Sequence, residues 1–357
     1  MRYHRSVRAT HGFCKDTSVL HAALVTHLDT ALGARRALIE RLHGENTDCY
    51  RLFHGSAEGA DGLTVDRYGD LLLVQSFHTP LDDAALGALQ HYYASALPEL
   101  TLVYNDRSRA NSRIANALDD TAAAVASAPR VASEMGVKHS IQARHAGQDP
   151  WLFLDLRAAR RHVMQIVAGK SLLNLFAYTC GVGTAAGKAG AAFVMNVDFA
   201  ESALKIGKEN ARLNALPHRP RFIKSDVFPA LRQLAGIGQP TRVRGKRMPA
   251  FPELKETRFD VVFLDPPAYA KSPFGVVDTV NDYPALFKPA LLATAPGGTL
   301  ICCNNAAKAD RGAWLDQLER SARKAGRPIV DAKWIAPDGD FPSFDDNPPL
   351  KVVALTV

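Results

Sequence analysis

An acid followed by two prolines, Asp265-Pro266-Pro267, closes the apolar run Phe259 to Leu264. Proline has no backbone N–H to give, so the chain leaves its sheet after Leu264 with carbonyl oxygens free. A carboxylate and unpaired carbonyls at the C-terminal edge of a strand make a rigid ledge of acceptors. Such a ledge suits the ring or amine of a nucleobase held beside an activated methyl group.

A second candidate lies about a quarter of the chain earlier. The run Ser171 to Leu175 continues into Phe176, Ala177, Tyr178, Thr179, Cys180, Gly181, Val182 and Gly183. Glycines at 181 and 183 permit unusual dihedrals and a close approach of backbone to ligand. Asp198, at the end of the next apolar run, can accept both hydroxyls of a ribose. This arrangement serves the adenosine of S-adenosylmethionine and of NAD alike, and the stretch from Gly181 to Ala186 matches the weak GxGxxA fingerprint of dinucleotide sites. Two features favour S-adenosylmethionine. Polar and aromatic residues separate the strand from Gly181, where a dehydrogenase places its glycine turn at once. The Asp265-Pro266-Pro267 ledge also has no part in hydride transfer. Asp226, ending a further run, is then placed to accept the exocyclic amine of adenine. Each acid alone reads as an ordinary turn or helix-capping residue; on successive strand ends they read as a site.

The elements that must carry these residues form two patterns. Residues 1–46 are expected as a basic arm and a helix from Leu20 to about His43. Residues 47–136 read as a small α/β domain, with strands at Leu63–Val65, Leu71–Phe77 and Thr101–Tyr104, a helix from Asp82 to Ala94, and an Ala-rich linker or loop from Asp120 to Val131. Residues 137–357 alternate strand and helix. Repeated βα units whose strands end in acids predict a doubly wound parallel sheet, with ligands beyond the carboxyl ends of the strands. The last two strands, Ile329–Ile335 and Lys351–Thr356, lack a helical crossover and are expected to pair antiparallel. One reversed strand near the end of a parallel sheet is the Rossmann-like arrangement of class I methyltransferases.

The chain has 357 residues, a net charge of +7 and five cysteines. None of the cysteines forms a CxxC pair, which argues against a disulfide framework and against a zinc or iron–sulfur site. No run reaches the ~18 apolar residues of a membrane span, and a cytoplasmic, reduced protein is expected. Arg2, Arg5, Arg8 and Lys15 precede the first acid, which reads as a basic arm or as a transit peptide. Basic surfaces favour polyanions, and RNA is the expected partner. Arg242, Arg244, Lys246 and Arg247 cluster in a stretch that reads as an insertion free to touch phosphates, or as a solvated loop.

Taken together, these residues resemble the bacterial 23S ribosomal RNA methyltransferases designated large-subunit methyltransferase I and K. The match is carried by Leu152 to Arg160 (LFLDLRAAR), Asn174 to Thr179 (NLFAYT), Asp265-Pro266-Pro267 through Lys271-Ser272, and Asn304-Asn305. Asp340-Phe341 is similar to a C-terminal signature of the K type, and Thr47 to Asp70 to the central domain of the I type. The resemblance implies that Phe153, Asp155 and Arg157 close over the cofactor and that Asn174 to Gly183 hold its methionine part. It places Asp198 with Phe199 at the ribose and Asp226 with Val227 at the adenine. It also implies that Asp265 to Tyr269 face the target base. Tyr269 is expected to stack on the base, Asp265 and Asn304 to orient it, and Lys271 to meet a phosphate.

The chain departs from the I type where that enzyme needs a cysteine. C5 of cytosine is not nucleophilic until a thiolate adds at C6, and the cysteine position falls on Asn304 or Asn305. The asparagine pair is that of the K type, which makes 7-methylguanine and needs positioning rather than a base. A guanine target, at N7 or N2, is therefore expected. The alternatives are a cytosine-C5 enzyme using Cys303 or Cys302, a small-molecule methyltransferase, a non-catalytic RNA-binding protein and, more distantly, a dehydrogenase.

Overall fold

The computed structural model describes residues 17–357 apart from residues 244 and 346, with side chains from residue 22 onward. The basic arm, Cys14 and Arg244 therefore lie outside the described residues.

Helix α1 (Thr17–Gly44) leads into β1 (Cys49–His54), the single turn α2 (Gly55–Glu58), β2 (Leu63–Tyr68), β3 (Leu71–Ser76), α3 (Asp83–Ala96) and β4 (Thr101–Asp106). The strands form a sheet in that order, antiparallel except for the parallel pair β3/β4. That parallel pair needs a crossover, and α3 supplies it, capped by the Asp82 carboxylate accepting from the Ala85 N–H at 2.7 Å. Leu28, Leu42, Phe53, Val74 and Tyr93 fill one face of this sheet.

The Ala-rich stretch expected as a linker is instead helix α4 (Asp120–Ser127) followed by β5 (Arg130–Glu134). Alanine has the highest helix propensity, and Asp119 caps the first turn by accepting from the Ala122 N–H at 2.8 Å. Strand β5 pairs with β6 (Val137–Ile141) through a turn at Met135 and Gly136. The boundary expected at 136/137 falls inside that turn.

The remaining elements are α5 (Arg157–Ile166), β7 (Ser171–Leu175), α6 (Gly181–Lys188), β8 (Phe193–Asp198), α7 (Glu201–Leu213), β9 (Arg221–Lys224), α8 (Val227–Leu234), β10 (Arg242–Val243), β11 (Lys246–Arg247), β12 (Phe259–Leu264), β13 (Tyr269–Ser272), β14 (Gly275–Asp278), α9 (Pro284–Ala293), β15 (Thr294–Asn304), α10 (Arg311–Lys324), β16 (Asp331–Trp334) and β17 (Lys351–Thr356). Seven strands form one sheet in the order β16-β17-β15-β12-β7-β8-β9. Only β17 runs against the others, pairing antiparallel with both β15 and β16. This is the expected Rossmann-like sheet with one reversed strand.

Strand β12 shows why its sequence is a nearly unbroken apolar run. Phe259, Val262 and Leu264 pack on the side of α8 and α9, whereas Val261 and Phe263 pack with Val163 and Val182 on the other. Both faces are covered, so neither alternate position is free to be polar. Connections leave β7 toward β8 and β9 on one side and return to β12 and β15 on the other. A crevice is left at that switch point, beyond the carboxyl ends of β7 and β12.

Candidate active site

The crevice is a cavity of about 370 Å³. Three stretches of chain build it: residues 149–160, the loop from Asn174 to Val182, and Asp265-Pro266-Pro267. Phe263, Asn305 and Leu350 complete the wall.

The loop after β7 is held in an uncommon shape. Phe176, Tyr178 and Cys180 have φ of 56°, 48° and 61°, and Trp151 across the cavity has 74°. Non-glycine residues enter this left-handed region at a cost of roughly 1–3 kcal/mol each, and only where the surroundings fix them. Here they do. The Ala177 N–H donates to Val197 O at 3.0 Å and the Cys180 N–H to Ala177 O at 2.7 Å. The Tyr178 N–H donates to Asp198 Oδ2 at 2.8 Å, and Asn210 Nδ2 to Thr179 O at 3.1 Å. The two glycines, expected to supply unusual dihedrals, sit inside α6 with negative φ instead. Gly183 is needed for space, because a Cβ there would come within 2.1 Å of Asn196 Oδ1. That amide in turn accepts from Asn174 Nδ2 at 2.9 Å.

Helix α6 begins at the cavity, and its leading residues Gly181 and Val182 line the wall. The N-cap residue Cys180 makes no side-chain hydrogen bond to the first turn, so the helix presents unclaimed N–H groups and its positive end. Two carboxyls, Asp155 and Asp265, line the same cavity. Burial pushes the Asp265 carboxyl up to about 7, and the neighbouring Asp155 charge pushes in the same direction. Burial also raises Asp155, against the pull of Arg51 and Arg160. Phe153 and Tyr178 close one end with ring centroids 5.4 Å apart. A cavity that combines free N–H donors, carboxyls and aromatic rings suits a zwitterionic amino acid joined to a cationic sulfur.

Several expected residues are placed elsewhere. Arg157 is wholly buried away from the cavity, where it pairs with Asp338 at 2.7 Å and with Asp340, and donates to Cys49 O. It ties the C-terminal loop to β1 rather than closing over a ligand. Asn304 is also buried, with Nδ2 donating to Thr279 O at 3.0 Å and Oδ1 accepting from the Ala306 N–H at 3.0 Å. Its polar atoms are taken, and the asparagine in the cavity wall is Asn305. Asp198 braces the loop, its carboxylate accepting from the Tyr178 and Ala200 N–H groups at 2.8 Å each. Asp226 caps α8 through the Phe228 N–H at 2.9 Å, and Val227 is buried in the core. Phe199 is 70% exposed, Tyr269 is 57% exposed, and Lys271 lies 5.7 Å from the Tyr269 ring, both of the latter on the β13–β14 hairpin.

Arg160 belongs to the site although its sequence signal was only a place in the run from Leu152 to Arg160. It lines the cavity, is buried, donates to both oxygens of Glu134 at 2.5 and 2.7 Å, and donates to Phe153 O at 2.8 Å. Asp149 and Trp151 also line the cavity. Nothing in their spacing marks them; Trp151 is fixed by the Thr179 hydroxyl, which donates to its carbonyl.

The sheet order and the cavity at its switch point define an α/β enzyme that binds a nucleoside-bearing cofactor. The chain belongs to the S-adenosylmethionine-dependent methyltransferase family, whose model matches residues 50–355. It is 29% identical over 339 residues to the ribosomal RNA large subunit methyltransferase I of Aeromonas hydrophila, covering 92% of this chain and 78% of that one. The fold is also that of a protein assigned as an S-adenosylmethionine-dependent methyltransferase in Streptococcus mutans, with TM-score 0.73, 22% identity, and 94% and 81% of the two chains covered. A further protein assigned as a methyltransferase, SMU.776, solved with S-adenosylhomocysteine, superposes with TM-score 0.75 at 21% identity over 94% and 82% of the chains. S-adenosylmethionine is therefore the cofactor. Among the described residues no helix is long and apolar enough to cross a membrane, and no cluster of His, Cys, Asp or Glu is arranged to hold a metal.

Proposed function

We propose that the protein methylates a guanine base, at N7 or N2, in large-subunit ribosomal RNA. The observation that carries this reading is the pairing of Asn305 with the Asp265-Pro266-Pro267 ledge in one cavity wall that no cysteine lines; the Cys303 thiol is buried and spends its proton on the Asp265 carboxyl. Cys302 and Cys303 are fully buried, and burial pushes both thiols far up from their ordinary range. A neutral thiol enclosed in a strand is a poor nucleophile, so the cytosine-C5 route lacks its first step. The name of the Aeromonas relative supports the RNA class, as does the exposed basic hairpin of Arg242, Lys246 and Arg247.

The cofactor supplies an electrophilic methyl on a sulfonium sulfur. The α6 N-terminus would hold the cofactor's carboxylate, and Asp155 and Phe153 would face its sulfonium. The adenosine would lie toward Asp198 and the exposed ring of Phe199, where the Asp198 carboxylate, already accepting from backbone N–H groups, would offer a remaining lone pair to a ribose hydroxyl. With the cofactor bound, a guanine lone pair would attack the methyl carbon in line, the carbon–sulfur bond electrons passing to sulfur. Transfer to N7 releases no proton. Transfer to N2 does, and Asp265 with the Pro266 carbonyl are the acceptors at hand.

Digestion and mass spectrometry of ribosomal RNA from cells with and without the protein tests this reading. Loss of one methylated guanosine is expected. Loss of a methylcytidine, abolished by Cys302→Ala or Cys303→Ala, would overturn it, and an unchanged set of ribosomal nucleosides would direct attention to a small-molecule acceptor.

A further inference from the structure

A second cavity of about 290 Å³ adjoins the cofactor cavity, sharing Phe153 and Asp155 as wall. It lies between the four-stranded sheet and the loop that precedes β17. Small-molecule pockets run from roughly 300 Å³ upward, so this one has room for a single base. Two phenyl rings line it, each beneath a guanidinium: Arg107 stands 5.0 Å from the Phe77 ring centroid and Arg51 4.7 Å from that of Phe341. Flat cations and rings disposed in this way offer stacking faces to a planar heterocycle.

The polar groups are specific. Gln75 is buried, and its Oε1 accepts from Arg107 Nη1 at 3.0 Å, which fixes the amide orientation. Its Nε2 donates to nothing among the described residues. Arg107 is also buried; Nε donates to Ser112 O and Nη1 to Gln75 and Asp149, which leaves Nη2 without a hydrogen bond. Among the described residues Asp155 forms no ion pair, and only its own backbone N–H donates to it. The cavity therefore has two unspent donors on the side of the four-stranded sheet and an unspent carboxylate on the wall toward the cofactor.

Resting on the reading of the protein as a guanine methyltransferase, we propose that this second cavity receives the flipped-out guanine. Arg107 Nη2 and Gln75 Nε2 donate to O6 and N7, as guanidinium groups do when they read guanine edges. The two oxygens of Asp155 accept from N1–H and N2–H, which stand side by side in guanine and in no other RNA base. That orientation turns N2, not N7, toward the cofactor cavity. Methylation at N2 forms the N2–carbon bond, breaks the carbon–sulfur bond with its electrons going to sulfur, and passes one N2 proton to Asp265.

The test is a calorimetric titration of guanosine, inosine and 7-deazaguanosine into the protein saturated with S-adenosylhomocysteine, with Phe77→Leu, Phe341→Leu and Gln75→Ala beside the unaltered chain. Unchanged thermal unfolding and S-adenosylhomocysteine affinity show that each variant is intact. Guanosine binding that weakens at least 10-fold in Phe77→Leu and Gln75→Ala, and at least 10-fold for inosine, which lacks the N2 amine, supports the assignment. Equal binding by all variants, no guanosine binding at all, or a 7-methylguanosine product overturns it. The wider reading fails separately, when cofactor-loaded protein leaves hypomethylated ribosomal RNA unmodified.

Discussion

The two sides of the methyl-transfer site are built to opposite standards. On the cofactor side almost every polar group is already engaged: Asn174 with Asn196, Asp198 with two backbone N–H groups, Arg160 with Glu134. On the acceptor side the Asp265 carboxyl sits near neutrality, Tyr269 and Lys271 stand exposed, and Asp155 has no cationic partner in contact. One side binds the same molecule at every turnover and can be fixed in advance. The other, on the proposed function, would receive a base carried by RNA, and its unsatisfied groups are what that base would complete.

The comparison breaks most severely when the fixed side loses a buried partner. Glu134→Ala leaves the Arg160 guanidinium buried without its carboxylate partner; in the parent, Arg160 lowers the Glu134 carboxyl below its ordinary value in spite of burial. The expected loss is about 3–5 kcal/mol in urea unfolding, together with loss of cofactor binding, because Arg160 also holds the Phe153 carbonyl. A variant as stable as the parent would show that the pair does not anchor the cavity wall.

On the acceptor side the effect moves from stability to rate. Asp265→Asn should lower kcat about 10²–10³-fold while the dissociation constant of S-adenosylmethionine stays within threefold. Full activity would remove Asp265 from the chemistry. The same variant sharpens a pH prediction. Because the folded-state pKa of Asp265 is raised to about 7, the native chain holds a proton that the unfolded chain releases near its ordinary 3.8. This group therefore subtracts stability as pH rises from about 4 to 7, and its penalty is complete above 7. Unfolding free energies of the parent and of Asp265→Asn should diverge across that window, with the variant the more stable at high pH. Parallel curves would place the proton elsewhere.

How far the sequence foretold these two sides follows from local geometry. Strand ends were legible because an apolar run ending in Asp or in Asp-Pro-Pro is a local signal, and the reversed strand was legible because no helix separates the last two strands. Parity was not legible. Successive residues leave a strand on opposite faces, so whether Asn304 or Asn305 meets the ligand depends on register, and β15 turns Asn304 inward against Thr279. The glycine motif gave the right place for the wrong reason: the strained dihedrals fall on Phe176, Tyr178 and Cys180, while Gly183 makes room for Asn196. Arg160, Glu134 and Asp149 come together only through tertiary packing, which no spacing along the chain encodes. The acids Asp198 and Asp226 show the converse. Their strand-end positions were plain, yet hydrogen bonds to neighbouring backbone claim both, and what remains for a ligand is a matter of leftover lone pairs.

The smallest effect concerns the hairpin β10–β11, whose residues line neither cavity. Arg242 stands opposite Arg247, and Val243 opposite Lys246. Like charges directly across a two-stranded ribbon repel, and such a ribbon is marginal without a partner. Arg242, Lys246 and Arg247 are exposed, and none forms an ion pair among the described residues. A polyanion laid along this face converts the repulsion into attraction. Replacing Arg242, Lys246 and Arg247 together by Ala should reduce the slope of log affinity for RNA against log salt by roughly 2–3. Unfolding free energy should shift by no more than about 0.5 kcal/mol per position, and guanosine binding in the second cavity should not change. An unaltered salt slope would mean that RNA approaches from another face, and the contrast between a prepared cofactor side and a waiting acceptor side would then end at the cavity walls.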